Sequence, residues 1–126
     1  MIINLNVKDS LPTIREAFEN KTLQMFKPYA SPKDSKCTYS GPCAVGACMT
    51  EEERTFCDDQ LWYGVYSLVN NNVIHTHHKD ADVFAVLQNL HDSARLKIEN
   101  VPEFDRAVKL FGDKLTELEA QYGVAA

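Results

Sequence analysis

Between Val101 and Tyr122 the residues Val101, Phe104, Val108, Phe111, Leu115, Leu118 and Tyr122 follow one another by alternating steps of three and four. A helix turns once in 3.6 residues, so this spacing gathers them on a single stripe. Asn100 is suited to cap that helix, Pro102 to its first turn and Gly123 to its end. From Pro102 to Tyr122 it would run about 31 Å, with Gly112 a weak position costing roughly 1 kcal/mol against alanine. Large Phe, Leu and Tyr side chains on one stripe need a cover, either the chain's own core or a second copy. With 126 residues the chain is long enough for one sizeable core, and the expected cover is intramolecular, a homodimer being the alternative.

Val83, Phe84, Val86, Leu87, Leu90 and Ala94 put a wide apolar face on a second long helix, with Asp80 or Asp82 as its expected cap. Nearer the N-terminus, Ile3, Leu5 and Val7 alternate with polar residues and predict a short edge strand. Asp9 or Ser10 is then expected to cap a helix carrying Leu11, Ile14, Phe18, Thr22 and Met25 and ending near Pro28. Cys37 to Gly46 reads as two extended pieces around Gly41-Pro42, a small β-hairpin. Thr50 and Glu53 have the spacing of a capping box. Leu61, Trp62, Val65, Tyr66, Leu68 and Val69 fit a helix or, by their aromatic and β-branched content, a strand. The predicted fold is α+β, mainly α: a single domain over residues 1–126 with an N-terminal strand, about four helices and a small β-hairpin.

Composition narrows the function classes. Apolar residues make up 44% and charged residues 25%, with 5 Gly and 5 Pro, which is globular composition. No signal-type N-terminus or membrane-length apolar run is present, so a cytoplasmic location is expected, in a bacterial host if the protein is phage-encoded. The net charge is −5 and four of those charges fall between Glu51 and Asp59. A basic stripe for nucleic acid is absent. Glu51, Glu52, Glu53, Asp58 and Asp59 form an acidic stretch, read either as a solvated helix start or, with Trp62, Tyr63 and Tyr66, as a binding face for a protein partner.

Cys37, Cys43, Cys48 and Cys57 lack the close pair that delivers two thiolates to zinc, so buried free thiols are expected, with no metal and no cofactor. His75, His77 and His78 followed by His91-Asp92 leave a metal-dependent hydrolase as an alternative. The first three are similar to the His-x-His-x-Asp-His signature of metallo-β-lactamase-like hydrolases, but Lys79 stands where that signature has aspartate. Phosphate loops, dinucleotide fingerprints and nucleophile elbows are all missing from the sequence.

Cys37-Thr38-Tyr39, Gly41, Cys43-Ala44-Val45-Gly46, the Glu51-Glu52-Glu53 stretch and Leu87-Gln88-Asn89-Leu90-His91-Asp92 together resemble an uncharacterised family of small phage and bacterial proteins. The resemblance spans residues 37–92 and implies a phage or prophage setting without an activity. It also implies a structural cluster of Cys37, Tyr39, Cys43, Gly46, Gln88, His91 and Asp92 joining the hairpin to the helix. The expected function is that of a small non-enzymatic binding protein, a phage-type accessory protein that engages a host or defence protein. A structural homo-oligomer through the C-terminal helix is a further alternative.

Overall fold

The computed structural model describes residues 1–29, 36–60 and 64–124. In chain order these form β1 (Ile3–Asn4), α1 (Val7–Glu19), a 3-10 turn at Gln24–Phe26, a second at Gly46–Cys48, α2 (Glu51–Asp58), α3 (Val65–Asn70), β2 (Ile74–His75), α4 (His78–Leu96) and α5 (Val101–Tyr122). The architecture is mainly α with a small β component. Among the described residues five α-helices are present rather than four, because the segment whose composition suits either helix or strand is helical at Val65–Asn70. Asn72 ends it in the left-handed region at φ 61°, letting Val73 N–H reach back to the Leu68 carbonyl at 2.9 Å.

The β-hairpin expected over Cys37–Gly46 does not form. Side chains from elsewhere take the backbone amides that a hairpin ladder would use: Gln24 Oε1 accepts from Thr38 N–H at 2.7 Å, and Asp58 accepts from Tyr39 and Ser40 N–H at 2.8 and 3.1 Å. The chain coils instead into turns, with Cys43 N–H donating to the Thr38 carbonyl at 3.1 Å. The sheet that does exist is a parallel pair, Ile3 opposite Ile74 and Asn4 opposite His75. Such pairing joins the N-terminus to the middle of the chain through a long crossover, which no local pattern encodes. The expected third strand residue, Val7, already opens α1.

Helix boundaries differ where a side chain had two possible employments. Asn6, not Asp9 or Ser10, caps α1 by accepting from Asp9 N–H at 2.8 Å. α1 stops at Glu19 rather than near Pro28, since Lys21 turns left-handed at φ 56° and Thr22 N–H closes on the Ala17 carbonyl. His77 caps α4, accepting at Nδ1 from Lys79 N–H. That leaves Asp80 to bind Val7 N–H at 3.0 Å and the Tyr122 hydroxyl at 3.3 Å, tying the start of α1, the start of α4 and the end of α5 together.

α5 lies against α4 and α1. Its stripe enters the chain's own core in part: Phe111, Leu115 and Leu118 are buried, Phe104, Val108 and Tyr122 are half-buried, and Val101 is exposed. Gly112 has a packing role, because a Cβ there would come within 3.1 Å of Phe18 Cζ. Phe18 thereby sits 5.3 Å, ring centre to ring centre, from Phe111. Across the α1–α5 contact the Arg15 guanidinium forks onto nearly buried Glu119, Nε–Oε2 3.0 Å and Nη2–Oε1 2.5 Å, and this raises the Arg15 pKa. No helix among the described residues is long and apolar enough to cross a membrane.

Candidate functional site

α4 carries Gln88, His91, Asp92 and Arg95, residues spaced so that one helical face presents them all to the chain between residues 24 and 46. Asp92 is the centre. Its Oδ1 accepts from Gln88 Nε2 at 2.8 Å and from His91 Nδ1 at 2.9 Å. Gln88 turns its own oxygen to Val45 N–H at 3.1 Å, which secures the second cysteine segment to the helix. The Cys37 thiol lies beside this pair, its sulfur within 4.8 Å of the Asp92 carboxylate and the His91 ring.

His91 is wholly buried, and both ring nitrogens are engaged. Nε2 faces the Met25 backbone N–H at 3.0 Å. A backbone N–H can only donate, so Nε2 must be the unprotonated nitrogen and Nδ1 carries the hydrogen that Asp92 receives. The imidazole is therefore neutral in this arrangement.

Gly46 matters through space rather than φ: a Cβ would overlap the carbonyl oxygen of Tyr39. Gly46 N–H meets Cys43 Sγ at 3.3 Å and its carbonyl accepts from Arg54 Nε at 2.7 Å. The seven residues Cys37, Tyr39, Cys43, Gly46, Gln88, His91 and Asp92 are thus brought into one neighbourhood between the loop and α4.

This neighbourhood is poorly suited to nucleophilic catalysis. Burial, reinforced by the Asp92 charge, pushes the Cys37 thiol up to about 12, and burial raises Cys43 still more strongly. Burial likewise moves Cys48 and Cys57 up to about 11. All four cysteines are free, and at neutral pH they remain thiols. The nitrogen of His91 that could act as a base is spent on Met25.

Cys37, His91 and Asp92 also form the one trio of metal-capable groups among the described residues, with ligand atoms within 4.8 Å of one another. Ligation through Nδ1 would require the proton to move to Nε2, where it would confront the Met25 N–H donor to donor. The trio's hydrogen bonds thus favour the metal-free network. His75, His77 and His78 do not join it: His75 and His78 are exposed, and His77 caps α4 with its ring 4.3 Å from that of His78.

A cleft of about 320 Å³ opens beside the cluster, between α3 and α4. Tyr39, Cys43, Val65, Tyr66, Ser67, Ala85, Gln88, Asn89 and Asp92 line it. Half-exposed Tyr66 donates to Asp82 Oδ1 at 2.5 Å, a bond that raises the tyrosine pKa. Asp58, which holds the backbone of Tyr39, links the end of α2 to the same cleft.

The acidic residues divide by employment. Glu53 closes the capping box with Thr50 and Asp58 holds the loop, while Glu51, Glu52 and Asp59 face solvent. Trp62 and Tyr63 lie outside the described residues. Two organising groups stand outside every motif of the sequence. Arg95, 2% exposed, reaches the carbonyls of Lys27 and Lys36 and lies 4.8 Å over the Tyr29 ring. Its three-residue step from Asp92 is a usable signal. Gln24 has none, because its partners Thr38 and Pro42 are remote in sequence. Comparison with family models, curated proteins and solved structures yields no match, so the site rests on its own geometry.

Proposed function

We propose that the protein is a small non-enzymatic binding protein, a phage-type accessory protein that engages a host or defence protein through its acidic and aromatic face. The supporting observation is the continuity from α2 to the cleft: Asp58 grips Tyr39, and Tyr39 lines the cleft together with Tyr66, whose hydroxyl is bonded to Asp82. Exposed Glu51, Glu52 and Asp59 extend negative charge away from this cleft without internal duties. Carboxylates that hold no part of the fold are available to steer a basic partner. The phage setting is carried by the resemblance of residues 37–92 alone. The hydrolase alternative has no feature of the His75, His77 and His78 arrangement in its favour.

The test compares wild type with a Glu52→Lys/Asp59→Lys double variant in capture from bacterial lysate over a series of salt concentrations. The variant should retain its thermal midpoint, lose the captured protein, and lose the salt sensitivity of capture. Equal capture by both proteins would remove α2 from the binding face.

A further inference from the structure

We infer that the cleft between α3 and α4 receives a guanidinium-bearing side chain of the partner, an inference that rests on the binding-protein reading and specifies what the face recognises. Volume sets the first limit. At about 320 Å³ the cleft lies at the lower end of the range for ligand sites, ample for one long side chain.

Charge sets the second. The Asp92 side chain is 41% exposed, and its carboxylate is held by Gln88 and by neutral His91, with the Cys37 thiol close by. No lysine or arginine among the described residues forms an ion pair with it. Its carboxylate is therefore fixed in place and oriented, while Arg95, one turn further along α4, is buried and directed to the Lys27 and Lys36 carbonyls rather than ion-paired with it. A second carboxylate, Asp82, accepts from the hydroxyl of cleft-lining Tyr66.

The walls decide between cations. Tyr39, Tyr66, Val65 and Ala85 make a partly apolar, partly aromatic lining. A planar, weakly hydrated guanidinium loses less on entering such a space than a compact ammonium, and it stacks on aromatic faces. Arginine is accordingly favoured over lysine.

The experiment records amide chemical shifts of the ¹⁵N-labelled full chain during titration with N-acetyl-L-argininamide, which presents the side chain as a polypeptide would. Parallel titrations use the lysine analogue, the uncharged citrulline analogue and free L-arginine. Saturable shifts should cluster at Gly64–Ser67 and Gln88–Asp92, with binding at least about tenfold weaker for the citrulline analogue and weaker for the lysine analogue. Free L-arginine should also bind less well, because its carboxylate meets a negative rim; tighter binding would mark a metabolite site and overturn the inference. Asp92→Asn should abolish the response. Since Asp92 also anchors the cluster, Ser67→Phe, which fills the cleft without touching that network, provides an independent block with the same expected loss. Equal shifts with the arginine and citrulline analogues, or none in the cleft, would refute the inference. If the arginine probe fails while the α2 double variant still loses capture, the cleft assignment falls and the binding reading stands. If the probe binds and capture is indifferent to α2, the cleft keeps its ligand class and the acidic face loses its role.

Discussion

The Met25 backbone N–H points at Nε2 of His91 from 3.0 Å, inside the core. This bond ties the 3-10 turn at Gln24–Phe26 to α4 across 66 residues and sets which tautomer His91 adopts. The rest of the cluster follows from it, because Nδ1–H is then directed to Asp92.

Replacing His91 by alanine strands the Met25 N–H without an acceptor and opens a void. The expected cost is about 1–3 kcal/mol for the unsatisfied donor, increased by the cavity. Urea denaturation would measure it. A variant as stable as wild type would mean that the bond contributes nothing to folding.

Gly46→Ala should be as harmful, by a different cause. The added methyl would overlap the Tyr39 carbonyl, and the neighbouring backbone is held by Asp58 and by Arg54. A loss of about 2 kcal/mol or more is expected, in the range of overpacked sites. Gly64→Ala, with open space around its Cβ position, is the control and should fold with little change.

The thiols should make the fold sensitive to alkali. Burial raises Cys37 to about 12 and Cys48 and Cys57 to about 11 in the folded state, while an unfolded thiol ionises near about 8.5. The unfolded chain thus releases protons first, so their stabilising contribution is complete below about pH 8.5 and declines as pH rises through the folded values. Denaturation midpoints should fall steadily from about pH 9 to pH 11. At pH 7 the native thiols should react with a disulfide reagent far more slowly than those of the denatured chain; fast native reaction at Cys43 would contradict its burial.

Leu115 packs at 0% exposure within one chain. Leu115→Ala is expected to cost about 2–5 kcal/mol, and the cost should be the same at every protein concentration. Wild-type midpoints measured over roughly a hundredfold concentration range should coincide, whereas stabilisation by a dimer would make them rise with concentration.

Elements whose signals lie within one or two helical turns are legible in the sequence. Thr50 and Glu53 close their capping box as their spacing implies, and Asn100, Pro102 and Gly123 bound α5 where the apolar period begins and ends. Caps and helical stripes depend on neighbours three or four residues away, so the sequence contains both partners. Even there, competition blurs the ends. Asp80 has the chemistry of a cap but serves Val7 and Tyr122 instead, and His77 takes the capping position.

By itself the sequence determined a mainly helical chain, the burial of Phe111, Leu115 and Leu118 on α5 and the concentration of negative charge near Glu51–Asp59. Tertiary structure alone decided the parallel pairing of Ile3 with Ile74, the failure of the hairpin at Cys37–Gly46, and which backbone group His91, expected in a structural cluster, accepts from. The physical reason is common to all three. A backbone N–H donates to whichever acceptor folding brings within 3 Å or so, and Gln24, Asp58 and His91 reach theirs across stretches of chain over which sequence spacing carries no geometric information.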